Sequence, residues 1–186
     1  IRDSISFRRV EKVGPKVSGE LLKSGVIAIV LSLSAMLIYI WLRFEWQFGF
    51  GAVVALTHDV LFTLGVLSLL NIEFSLSSIA AILTIAGYSI NDTVVIFDRV
   101  RENLRKFKKL DLVELFNISI NNTLSRTIMT SITTLIALAC LFIFGGHVIK
   151  PFAFAMIIGV LIGTYSSIFV AVPTLLLFKF RPQDDD

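Results

Sequence analysis

Two aspartates stand where this chain is most apolar. Asp92 lies in the run Leu76–Phe97, within the stretch AGYSINDTVVIFDRVR at residues 86–101, with Asn91 beside it. Asp59 follows His58 at the middle of a second run, Phe48–Leu70. A charge at such a depth is costly, so it faces a bundle interior or a water path and usually serves a function. A carboxylate held among hydrocarbon takes up or releases a proton on modest changes in its surroundings, which is the chemistry a proton relay needs. On a helix, Tyr88 and Ser89 lie near Asp92 at i−4 and i−3, with Val95, Ile96 and Arg99 at i+3, i+4 and i+7. The turn before Asp92 is therefore polar and the turn after it aliphatic. The competing reading is a structural carboxylate locked to a partner for packing.

Arg126 is the candidate partner of Asp92. It stands at the entry to a later apolar run, with Thr127, Thr130, Ser131, Thr133 and Thr134 after it, a hydroxyl-rich opening suited to a wet crevice. An arginine at a helix end equally snorkels to the headgroups. The His58-Asp59 pair reads either as a second relay site or as a hydrogen-bonded bridge between two helices. Gly159 and Gly163 form a G-x-x-x-G continued at the same spacing by Ser167, a pattern that favours close helix packing in membranes.

These residues need a scaffold, and the composition names it. Of 186 residues, 55% are hydrophobic and 17% charged, with a mean hydropathy of +0.84. Several runs reach or approach the ~20 residues that cross a bilayer as a helix. The expected fold is an all-α polytopic membrane protein with five spans, at about 25–42, 48–70, 76–97, 128–144 and 152–178. Residues 1–23 are polar and mixed, and Ser4–Val10 has β character, as in the end of a larger domain. A transmembrane bundle over 24–180 follows, and 181–186 form a polar tail. The segment 99–126 is expected to be an amphipathic loop, with Asp111-Leu112-Val113-Glu114 restarting a surface helix over Leu112–Asn122. Pro173 is placed to kink the last span.

Charge orients the bundle. Arg43, the stretch Arg99–Arg126 and the tail share one face and carry 1, 7 and 2 basic residues, against Lys150 alone in the opposite short loops. The positive-inside rule makes the first face cytoplasmic. The six basic residues before the first span run against the rule, unless they end a large translocated domain. The sequons at Asn117 and Asn121 then fall in the cytoplasm and are discarded. The single Cys140 forms no internal disulfide. No phosphate loop, HExxH motif or Cys/His metal cluster occurs, so the sequence reads as neither an enzyme nor an ATP-driven motor. No cofactor is expected, and energy coupling would have to come from an ion gradient.

An ordered set of motifs resembles the SecF family of protein-export membrane subunits. It comprises Val13-Gly14-Pro15 with Gly19-Glu20-Leu21, Gly51-Ala52 through His58-Asp59, Gly87-Tyr88-Ser89-Ile90-Asn91-Asp92, and Phe97-Asp98-Arg99-Val100-Arg101-Glu102-Asn103. Leu124-Ser125-Arg126-Thr127 and Gly145-Gly146 with Phe152-Ala153 complete it. The resemblance implies helices two to six of a six-helix half of an RND-superfamily transporter, without the first helix and most of the periplasmic domain. SecD would supply the related half as a parallel pseudo-repeat. It further implies a multi-pass protein of the bacterial inner membrane, N-terminal segment periplasmic and C-terminus cytoplasmic. Its partners would be SecD, the SecYEG translocon, YajC and unfolded preprotein, and the proton-motive force would drive export. On family grounds Asp92 and Arg126 form the proton relay; Tyr88, Asn91, Thr127 and Thr130 are supporting candidates by their positions near those two residues. The alternatives are a non-conducting helical assembly factor for the translocon and an RND-like small-molecule exporter.

Overall fold

A computed structural model describes residues 15–72 and 75–178. The β-like stretch Ser4–Val10 and the tail 181–186 lie outside the described residues. Within them the chain is helical, with no strand. Helices α1 (Pro15–Arg43), α2 (Trp46–Leu69), α3 (Leu76–Lys106), α4 (Leu112–Phe144) and α5 (Lys150–Ser166) are followed by a π-helical segment, Ser167–Ala171, and a short α6, Val172–Leu176. Five helical stretches are long and apolar enough to cross a membrane, the last running continuously over Lys150–Leu176.

The helix ends follow from local chemistry. After α2 the chain turns at Asn71, whose φ of 52° is left-handed, a conformation asparagine tolerates better than most residues. Ile72 N–H then donates to Leu67 O at 3.0 Å and Asn71 N–H to Ser68 O at 3.1 Å, the paired bonds of a Schellman closure. Arg105 and Lys106 occupy the last turn of α3, where cations complement the helix dipole. Asp111 caps α4 by accepting Val113 N–H at 3.0 Å. Pro151 sits in the first turn of α5, where its missing N–H costs nothing.

Two expectations need correcting. The stretch 99–126 is not a loop, because α3 continues to Lys106 and α4 runs unbroken from Leu112. The expected surface helix over Leu112–Asn122 is the first third of α4. The reason is burial: Val100, Leu104, Leu115 and Phe116 pack together beyond the apolar runs, and buried Asn103 donates to Ser119 Oγ at 2.8 Å. The two helices form one long hairpin closed by residues 107–111. In the last span the irregularity lies before Pro173. Proline offers no N–H to the preceding turn, and the wider π-turn over Ser167–Ala171 absorbs the mismatch.

α3 is the central element. It packs on α1, α2, α4 and α5, while α5 packs on α2, α3 and α4. One core joins α1, α2, α3, α4 and the last span around edge-on pairs of Phe97 with Phe48 (centroids 5.2 Å) and Phe44 (6.4 Å). Lipid tails are as apolar as these side chains, so the core is held by close fit rather than by exclusion from water.

Candidate functional site

The small-residue face of α5 brings α3 close. A Cβ added at Gly159 would collide with the Ile85 side chain, and one at Gly163 would lie 3.1 Å from Ser89 Cβ. The pairs Ile85–Gly159 and Ser89–Gly163 advance together, so α3 and α5 run parallel. The same register sets Asp92 and Thr93 level with Ser166 and Ser167, where the π-segment begins.

Asp59 enters this interface from α2 with no exposed surface. Its Oδ2 accepts the Ser89 hydroxyl from α3 and the Ser166 hydroxyl from α5, the latter at 2.7 Å. His58 Nδ1 lies 3.0 Å from its Oδ1, and the half-buried His58 ring sits beside Phe62. The His58-Asp59 pair thus bridges three helices rather than two. Sequence reasoning singled out neither serine as a ligand. The available signal was spacing: Ser89 lies three residues before Asp92, and Ser166 lies three after Gly163.

Asp92 is a different site. It is 3% exposed, and its Oδ2 has no hydrogen-bond partner among the described residues. The hydroxyls of buried Thr127 and of Tyr88 are likewise without partners. Among the described residues no ion pair joins Arg126 to the Asp92 carboxyl. Arg126 is exposed and lines a depression of about 290 Å³ with Val95, Asp98, Arg99, Glu102, Asn122 and Thr123. Arg99 pairs with Glu102 instead of reaching toward Asp92.

The remaining candidates scatter. Asn91 is exposed on α3, away from the bundle interior. Thr130 and Thr133 return their hydroxyls to their own helix, Thr130 to Thr127 O at 2.9 Å and Thr133 to Met129 O at 2.9 Å, so they are satisfied locally. Ser131 instead crosses to α5 and meets Thr164 at 2.6 Å. On α4 the buried polar residues Ser119, Thr123, Thr127 and Ser131 recur every fourth position, forming one stripe that faces the bundle. Chemically, the arrangement offers one carboxylate whose two oxygens are both engaged and one with a buried oxygen that has no partner among the described residues.

The family model "Protein export membrane protein SecD/SecF, C-terminal" matches residues 1–181. The chain belongs to the SecD/SecF family. A protein translocase subunit SecF of Cereibacter sphaeroides is 59% identical over 90% of this chain and 52% of its own length. The SecF of Rickettsia rickettsii is 52% identical over 94% of this chain and 57% of its own. The chain therefore spans about half the length of these curated relatives. Among solved structures, SecDF of Thermus thermophilus, described as a translocon-associated membrane protein, superposes with a TM-score of 0.86 at 47% identity. That match covers 90% of this chain and 23% of the SecDF chain. A super-membrane-facing form of SecDF gives a TM-score of 0.81 at 44% identity. This chain thus has the membrane-helix fold of the SecD/SecF family.

Proposed function

We propose that this chain is the membrane part of a SecF-type subunit that couples an ion gradient to Sec-dependent protein translocation. It works with SecD beside the SecYEG translocon and YajC in the bacterial inner membrane, helping to draw unfolded preprotein out on the periplasmic side. The charge asymmetry supports an orientation with the α3–α4 connector in the cytoplasm. The observation that carries the coupling is the free Oδ2 of Asp92 inside the bundle. A buried acceptor without a donor is costly, and a proton taken up there removes the charge that meets the field of Arg126. The local chain of events is then protonation of Asp92, loss of its attraction to Arg126, and repacking of α3 against α4. No cofactor takes part; the gradient supplies the energy.

The test is preprotein export with and without a proton gradient, using Asp92→Asn in the full-length protein, alongside a binding assay with SecD. Lost gradient stimulation with intact binding is the expected result. Normal stimulation in that variant would reduce Asp92 to a packing carboxylate and favour the assembly-factor reading.

A further inference from the structure

We propose that Asp59 is a positioning residue: its junction with Ser89 and Ser166 fixes the rotation of α3 on which Asp92 depends, and Asp59 does not itself carry the relayed proton. This rests on the coupling role of Asp92 argued above.

The geometry separates the two carboxylates by what already occupies their oxygens. Oδ2 of Asp59 holds two hydroxyl donors from two different helices, and Oδ1 holds the His58 ring nitrogen. A proton arriving on Oδ2 would have to displace a donor that is itself buried, since Ser89 is 2% exposed and Ser166 not at all. Two hydroxyl donors from different helices and a ring nitrogen converge on this one carboxyl. The junction therefore reads as a fixed point.

What it fixes is α3 just before Asp92. Ser89 precedes Asp92 by three residues, close to one helical turn, so the two side chains project within about 60° of each other around the axis. Turning α3 enough to swing Asp92 would pull Ser89 away from Asp59. Backing Ser89 is Gly163, where even an added methyl group meets Ser89 Cβ at 3.1 Å, and one turn earlier Ile85 fills the space over Gly159. Asp59 thus holds α3 from the α2 side while the glycine face holds it from the α5 side. The α4 side differs: there Thr127 Oγ1 has no partner and Arg126 makes no ion pair with Asp92. A change of charge at Asp92 is accordingly directed toward α4, because the opposite side of α3 is tied to two helices.

The experiment uses the full-length protein with its SecD partner and reads gradient-dependent export beside complex assembly. Ser89→Ala and Ser166→Ala are each expected to assemble normally and to lose gradient stimulation on the order of tenfold, the scale of one hydrogen bond to a charged group. Ser166→Thr, which keeps the hydroxyl, restores it. Asp59→Asn retains residual stimulation, and adding Ser166→Ala to it costs nothing further, because both changes open the same junction. Should Asp59→Asn fail to assemble, the serine variants decide alone. Serine variants that behave like the unmutated protein overturn the positioning role. If in addition Asp59→Asn abolishes stimulation, Asp59 carries the proton itself. Asp92→Asn measured alongside separates the two levels. Retained stimulation there removes the coupling role of Asp92, whereas loss there with unaffected serine variants overturns only the role given to Asp59.

Discussion

The two buried aspartates of this bundle have the same side chain in nearly the same degree of burial, yet their surroundings are opposite. Asp59 sits where three helices converge and both its oxygens are engaged. Asp92 lies three residues beyond Ser89 on α3 with an oxygen that has no partner among the described residues and no ion pair to Arg126. Depth in the membrane therefore does not by itself assign a role to a carboxylate. Hydrogen-bond saturation does: a saturated acid resists change, and an unsaturated one invites a proton.

Several substitutions break or sharpen that contrast. The largest effect is expected at Asp92, where Asn removes the charge and should abolish gradient-dependent export while leaving partner binding intact. Next comes Asp59→Leu. It leaves the buried Ser89 hydroxyl without an acceptor, with Ser166 falling back on Gly163 O, and removes the anchor of three helices, and should lower stability by about 2–3 kcal/mol in thermal unfolding of the detergent-solubilised protein. Asp92→Leu strands no donor and should cost under about 1 kcal/mol in the same assay. Equal losses at the two positions would erase the distinction. Gly159→Val drives a branched side chain into Ile85 and should cost about 1–3 kcal/mol through overpacking, whereas Gly163→Ala, facing Ser89 at a longer distance, should cost less. A small effect is also expected at Asn103→Ala, which removes one buried hydrogen bond in the α3–α4 hairpin, about 1 kcal/mol. Because Ser119 keeps its bond to Leu115 O, no hydroxyl is orphaned there.

The spans were legible in the sequence because membrane helices are long, continuous and apolar, and Asp92 and Asp59 stood out against that background. The extent of α4 was not legible. Asn117, Asn121, Asn122, Ser125 and Arg126 read as a surface segment, while the buried stripe at Ser119, Thr123, Thr127 and Ser131 is visible only once every fourth residue is followed through them. The partners of Asp59 were hidden for another reason. A serine in a membrane helix commonly bonds its own backbone, so nothing in its identity marks Ser89 or Ser166 as a cross-helix donor. Thr130, singled out for the same hydroxyl, does bond its own helix. Only the three-dimensional crossing of α2, α3 and α5 distinguishes these cases.

The length of the α3–α4 hairpin has a mechanical meaning. α3 has 31 residues, which makes it about 46 Å long against a hydrocarbon layer of about 30 Å. Its far end is stiffened by the Asn103–Ser119 bond and by the packing of Leu104 on the opposing helix. From Asp92 to Lys106 is about 21 Å of unbroken helix. A lever of that length with its fulcrum at Asp92 would turn a tilt of about 10° into a sweep of about 4 Å at the tip. A sub-ångström adjustment beside the carboxylate would thereby be magnified into a displacement outside the bilayer, large enough for another protein to feel.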